Sequence, residues 1–185
     1  MIPSSADNYS SHEAQMITTF LQRLLWLVLL VALQMLVCNH IHVMGYATPL
    51  LFVYFVTLFP LGSSRWSVLL WSFACGVLAD ITMMTPGAAA AAMTLAGLIQ
   101  PSLLQAMQPK DAPEHMEAGF HTLGFWNYVY YCALLTLVVT LAFFLLQFFT
   151  FFQVVDMAIT WGGSWALTFA LCLLVENIRK RKQEE

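Results

Sequence analysis

Residues 66–100 read WSVLLWSFACGVLADITMMTPGAAAAAMTLAGLIQ, and this stretch decides the fold. Two apolar segments meet there at a polar corner that contains Asp80 and, five residues later, the Thr85-Pro86-Gly87 turn. Gly76 precedes Asp80 by four residues, so both residues lie on one helical face. A glycine on that face would let a neighbouring backbone approach the carboxylate closely. The stretch therefore predicts two closely packed helices joined by a short turn.

Asp80 is an ionisable residue in an apolar setting, and two interpretations stay open for it. A charge inside a membrane is costly to bury, so such a residue is a candidate functional site. Alternatively, its carboxylate only hydrogen-bonds the turn and faces the positive end of the following helix. Thr85 has the chemistry of a helix N-cap and Pro86 that of a first helical residue, which predicts that the second helix begins there.

The composition indicates an integral membrane protein. Of the 185 residues, 60% are hydrophobic and only 9% are charged. A soluble domain carries about 25% charged residues, so most of this surface cannot face water. Four cysteines, far apart and without a CxxC pair, are interpreted as small buried hydrophobic residues rather than disulfides or metal ligands. They are Cys38, Cys75, Cys132 and Cys172.

Hydropathy predicts an all-α polytopic membrane protein with six transmembrane helices. The six-helix domain is expected at residues 16–178, between a polar tail at 1–15 and a second tail at 179–185. The spans are predicted near 16–38, 46–61, 66–80, 86–107, 125–152 and 157–176. Histidines and carboxylates in the loops at 39–45 and 109–123 are interpreted as solvated or interfacial groups rather than as metal ligands.

The basic residues predict the orientation, because cytoplasmic loops carry the excess of lysine and arginine. With six spans and both termini in the cytoplasm, Arg65 and Lys110 fall in cytoplasmic loops and Arg23 lies near the inner end of the first helix. No basic residue is then left outside, whereas an odd number of spans would break this segregation. Asp80 is expected near the outer face.

The basic tail Arg179-Lys180-Arg181-Lys182 has two interpretations. Anchoring to anionic lipid contributes about 1 kcal/mol for each basic residue near a membrane surface. Docking of a cytoplasmic filament is the alternative.

The sequence contains no recognised catalytic, cofactor-binding or metal-binding motif. HExxH, GxGxxG and Walker motifs are absent, and the five histidines lie in the tail and loops. Asp80 is the strong candidate for an intramembrane charge, with Gln34, Gln100 and Gln147 as neutral polar positions. One charge is few for a pump or channel. We therefore expect a non-enzymatic interaction subunit that needs no cofactor or metal.

Several short motifs keep a characteristic order and spacing across residues 17–178. They are Asn39-His40-Ile41-His42, Gly45-Tyr46-Ala47-Thr48-Pro49, Gly76-Val77-Leu78-Ala79-Asp80, Thr85-Pro86-Gly87 and Gln100-Pro101. In these motifs and in its length, the chain resembles the MreD family of rod-shape-determining membrane proteins, in the form found in Bacteroidetes-type bacteria.

This resemblance implies a non-enzymatic subunit of the cell-elongation (Rod) complex in the bacterial inner membrane. Its expected partners are the scaffold MreC, the filament MreB, the SEDS glycosyltransferase RodA, the elongation penicillin-binding transpeptidase and membrane lipid, and no nucleic acid. The implied fold is similar to the S-component of ECF vitamin transporters, with six helices around a central cleft.

Matching the motifs by position implies that Gly76, Asp80, Thr85, Pro86 and Gly87 shape the outer half of the bundle. Our hypothesis is that the amides at the start of the fourth helix hold Asp80, and that this fixes a surface for the membrane helix of MreC. A substrate-binding membrane subunit of a small-molecule transporter is the alternative, and it predicts a polar central cavity with a bound ligand. An intramembrane enzyme would need a nucleophile and base or a metal set, which the sequence does not offer.

Overall fold

The computed structural model describes residues 5–38, 49–60, 62–107, 123–147 and 154–184, which are helical apart from short turns. A long helix, α1 (Ser5–Leu33), continues as a π-helical turn at Gln34–Cys38. The later elements are a 3-10 turn (Leu51–Val53), α2 (Tyr54–Thr57), α3 (Arg65–Met83), α4 (Ala88–Met107), α5 (Phe125–Gln147) and α6 (Val154–Glu184). Helix α1 begins at Ser5, inside the region predicted to be a polar tail.

Five of the described helical stretches are long and apolar enough to cross a membrane. They are Ile17–Leu36, Arg65–Met83, Ala88–Met107, Phe125–Gln147 and Thr160–Arg179. The all-α, multi-pass character predicted from the sequence is therefore confirmed, and the described residues form no strand.

The predicted second span at 46–61 is not one of these helices, and the count of six spanning helices is not confirmed. Its described part holds only the 3-10 turn at Leu51–Val53 and the single turn of α2. Every residue from Leu50 to Thr57 is buried. Non-helical backbone is tolerated at membrane depth only where protein encloses it. Hydropathy made this segment look like a lipid-facing helix because a chain buried in protein is equally apolar.

The buried segment at 49–60 runs antiparallel to α1. At its start, the Gln34 side chain donates to the Pro49 carbonyl over 2.7 Å and accepts from the Leu51 amide over 2.8 Å. At its end, the Phe59 ring lies 4.8 Å beneath the guanidinium of Arg23. Arg23 and Gln34 are about 16 Å apart along α1. The chain therefore returns by about 16 Å within 49–60, which is roughly half the thickness of a hydrocarbon core.

Helices α3 and α4 form an antiparallel hairpin that contacts α5, and α5 packs on α6. The hairpin places the start of α3 beside the end of α4, because Arg65, Gln100 and Gln105 line one cavity with Pro60. Pro60 also lines a second cavity with Arg23 and Arg179.

Arg23, Arg65 and Arg179 therefore lie at the same end of the bundle, which we call the basic end. Asp80 lies near the far end of α3, opposite to it. This grouping agrees with the segregation of charge predicted from the sequence, for the basic residues whose side chains the structure describes.

Candidate functional site

The carboxylate of Asp80 joins α3 to the start of α4. Its Oδ1 accepts hydrogen bonds from the Ala89 amide over 2.8 Å and from the Thr85 hydroxyl over 2.9 Å. Its Oδ2 accepts one from the Ala90 amide over 2.9 Å. The Asp80 carbonyl also accepts from the Thr85 amide over 3.2 Å, which closes the turn. We call this set of contacts the Asp80 clamp.

The prediction that Thr85 caps α4 was wrong. The first helical hydrogen bond of α4 runs from the Ala91 amide to the Gly87 carbonyl, so Gly87 is the N-cap residue and Ala88 the first helical residue. Asp80, from the preceding helix, accepts the amides of the second and third helical residues, as an N-cap side chain ordinarily would. Thr85 donates its hydroxyl to Asp80 instead, and Pro86 lies in the exposed turn.

Gly76 allows the close approach of α3 and α4 that the clamp requires. A Cβ atom on Gly76 would lie 2.6 Å from the Ala90 Cα and 2.7 Å from the Ala89 carbonyl oxygen. Neither atom belongs to a flexible side chain, so any larger residue must move the helices apart. Gly76 and Asp80 therefore act on the same two residues of α4, one by proximity and the other by hydrogen bonds.

Two residues in the turn adopt left-handed backbone conformations. Met84 ends α3 with a φ of 54°, and Gly87 has a φ of 87°. Glycine takes that conformation at no steric cost, which explains its place directly before α4. Gly76, Asp80, Thr85, Pro86 and Gly87, proposed from the sequence as one group, thus belong to one corner of the bundle. The corner holds two helices in register.

A second polar site, which the sequence did not reveal, lies near the basic end. Glu176 on α6 is 5% exposed, and its Oε2 accepts a hydrogen bond from the Tyr54 hydroxyl over 2.7 Å. Arg179 is one turn further along α6, with its Nη1 3.9 Å from the same oxygen. The last predicted span ends near Glu176, and its burial was not predicted.

A regular sequence pattern marks the buried face of α6. Its buried residues recur every four positions, at Ser164, Thr168, Cys172 and Glu176. Thr168 donates to the Ser164 carbonyl over 2.7 Å and accepts from the Leu50 amide over 3.0 Å. The face therefore supplies hydrogen-bond partners to the buried segment at 49–60.

Aromatic side chains fill the middle of the described bundle. Tyr54, Tyr128 and Tyr131 are fully buried, with the Tyr128 and Tyr131 ring centroids 6.2 Å apart. Gln100 lies beside them and donates from Nε2 to the Phe59 carbonyl over 3.2 Å. Gln34 and Gln100, predicted as neutral polar positions, thus both bind backbone of the 49–60 segment.

Tyr54→Phe is expected to destabilise the protein by about 1.5–3 kcal/mol, because it removes a hydrogen bond to a buried charged group. Thermal unfolding in detergent would measure the change. The matched control is Tyr130→Phe, which alters an exposed tyrosine of α5. Replacing both partners, as in Tyr54→Phe with Glu176→Leu, should recover much of the loss, because the buried carboxylate is then removed and Arg179, the last residue of its span, can turn its guanidinium to the membrane surface. A double variant less stable than Tyr54→Phe would contradict this account.

The remaining predicted residues are described in part. Cys75, Cys132 and Cys172 are buried free cysteines, as predicted, whereas the Cys38 side chain and the loops at 39–48 and 108–122 lie outside the described residues. Lys180, Arg181 and Lys182 continue α6, but of this tail only the Arg179 side chain belongs to the described part. Among the described residues, no three histidine, cysteine or carboxylate side chains are grouped as metal ligands would be.

Comparison with known proteins identified no relative: no family model, curated protein or solved structure matches this chain.

Proposed function

We propose that this chain is a non-enzymatic inner-membrane subunit of the bacterial cell-elongation complex, of the MreD type. In this function it binds MreC and helps to maintain rod shape and to regulate lateral peptidoglycan synthesis. RodA, the elongation transpeptidase and MreB are the further partners that this proposal implies.

The observation that carries the proposal is the Asp80 clamp. The motif on which the resemblance to the MreD family rests contains Gly76, Asp80 and Gly87, and each of these has a distinct geometric task in one corner. Within this corner, Gly76 sets the distance between the helices, Asp80 accepts the first amides of α4, and Gly87 makes the turn. This convergence supports the interpretation of the motif as a functional unit.

The surface beside the clamp is the proposed contact for the MreC membrane helix. Leu78, Ile81 and Met84 are exposed apolar residues around Asp80, and Met84 is 91% exposed at the turn. The position of Met84 depends on the clamp, because Met84 lies between the end of α3 and Thr85. A partner helix packed on this surface would find a rigid corner rather than a mobile loop.

For the orientation, we propose that the basic end faces the cytoplasm, following the positive-inside rule. We further propose that the segment at 49–60 belongs to a sixth pass beside the five long helices, so that both termini lie on the cytoplasmic side. Asp80 and Met84 then face the periplasm, where the MreC scaffold resides. A bundle of this kind is also the basis for expecting similarity to the S-component fold.

Affinity purification of the tagged protein from gently solubilised membranes, with mass spectrometry of the co-eluting proteins, tests the proposal. We expect a single-span coiled-coil periplasmic protein together with a SEDS enzyme and a transpeptidase. The control is a variant with Met84→Ser and Ile81→Ser, which should keep its fold and lose the single-span partner. Recovery of ATPase subunits with a bound small molecule would instead favour the transporter alternative.

A further inference from the structure

A cavity of about 270 Å³ opens at the basic end of the bundle. It lies between α1, the end of the 49–60 segment and the last turns of α6, and it combines two arginines with an apolar wall. The residues that matter for its chemistry are Gln22, Arg23, Trp26, Leu58, Phe59 and Arg179.

The two guanidinium groups of the cavity come from different helices, α1 and α6. Arg23 donates from Nη1 to the Ser67 hydroxyl over 3.2 Å and stacks over the Phe59 ring at 4.8 Å. Arg179 extends from α6, where its Nη1 lies 3.9 Å from the Glu176 carboxylate. Glu176 also accepts a hydrogen bond from the Tyr54 hydroxyl. Two positive charges therefore line the cavity, beside one carboxylate that already has hydrogen-bond and ion-pair partners.

The cavity lies near the ends of two candidate membrane spans, which we assign to the depth of the membrane surface. Arg179 is the last residue of the span Thr160–Arg179, and Arg23 lies about 9 Å inside the start of the span Ile17–Leu36. Trp26, Leu58 and Phe59 form the apolar side of the cavity, and Trp26 lies about one turn of α1 deeper in the span than Gln22. A ligand with an anionic head and an apolar tail would match this division.

We propose that this cavity binds the phosphate head group of an anionic phospholipid. Guanidinium groups bind phosphate through paired, charge-assisted hydrogen bonds, and basic pockets between membrane helices suit lipid head groups. Ligand pockets usually exceed about 300 Å³, so a cavity of 270 Å³ fits a head group rather than a whole lipid. Inorganic phosphate shares the head-group chemistry, but it would gain nothing from Trp26 and Leu58.

Native mass spectrometry of the purified full chain, titrated with phosphatidylglycerol or phosphatidylcholine, tests this inference. We expect phosphatidylglycerol to bind at least tenfold more tightly than phosphatidylcholine. Arg23→Gln with Arg179→Gln should reduce phosphatidylglycerol binding about tenfold or more. Arg65→Gln is the matched control, because Arg65 lies at the same end outside this cavity, and it should bind as the wild type does.

Leu58→Trp provides a test that leaves every charge in place. The larger side chain should fill the cavity and weaken phosphatidylglycerol binding, even if loss of the arginines unfolds the protein. Undiminished binding by Leu58→Trp, or equal binding of the two lipids, would overturn the inference. Competition by millimolar inorganic phosphate that removes the lipid completely would also overturn it, because the site would then recognise a free anion. These measurements use the isolated chain, so their outcome is separate from that of the elongation-complex proposal.

Discussion

Gly76→Leu is expected to separate α3 from α4 and to unfold the corner of the bundle that contains the Asp80 clamp. Even the single methyl group of Gly76→Ala would place a carbon 2.6 Å from the Ala90 Cα, closer than real contacts allow. Overpacking of this kind usually costs about 1–3 kcal/mol, and leucine adds three more carbons to the same gap. The melting temperature of the purified protein should fall modestly for Gly76→Ala and drastically for Gly76→Leu.

Gly162→Ala is the matched control for this series. Gly162 lies within α6, and a Cβ atom there would meet nothing within 4 Å. Alanine is better than glycine in a helix by about 1 kcal/mol, so this variant should be neutral or slightly more stable. If Gly76→Ala were as stable as Gly162→Ala, the close approach of α3 and α4 would be refuted as the reason for glycine at position 76.

Asp80→Ala is expected to cost about 2–4 kcal/mol, because the Ala89 and Ala90 amides and the Thr85 hydroxyl lose their common acceptor. Asp80→Asn keeps the shape but replaces one carboxylate oxygen by an NH2 group. That group would point a donor at another donor, so asparagine should recover only part of the loss. Unfolding measured in detergent should rank aspartate above asparagine and asparagine above alanine.

Binding of MreC by the Asp80 variants tests whether the corner also supports the partner surface. If the proposed function holds, binding should weaken in the same order as stability, because the partner surface depends on the corner.

Thr85→Val tests the hydroxyl alone and should lower the free energy of unfolding by about 1 kcal/mol, the usual contribution of one hydrogen bond. Wild-type stability of Asp80→Asn would show that the charge and the second acceptor contribute nothing to the corner.

The sequence predicted the hairpin of α3 and α4 well, because it depends on local signals. Apolar runs, a glycine four residues before Asp80 and a proline-glycine turn are all short-range features. The predicted N-cap residue was wrong because α4 begins at Ala88, and Asp80, nine residues before Ala89, accepts the amides of its first turn. A local cap rule does not consider acceptors from the preceding helix.

The buried segment at 49–60 and the burial of Glu176 depend on contacts between distant parts of the chain, which hydropathy does not encode. The segment at 49–60 has the composition of a spanning helix, but its surroundings are protein rather than lipid. The burial of Glu176 was not predicted, although Glu176 shares a four-residue spacing with Cys172 and Thr168 on the buried face. That spacing was the available signal for its position.

The buried segment at 49–60 has a consequence for biogenesis. Its backbone is satisfied by Gln34 from before it, by Gln100 from α4 and by Thr168, which lies 118 residues beyond Leu50. While the nascent chain is still being translated, these later acceptors and donors do not exist. The segment therefore cannot complete its contacts as it leaves the translocon, because Thr168 of α6, which is synthesised much later, supplies one of its partners.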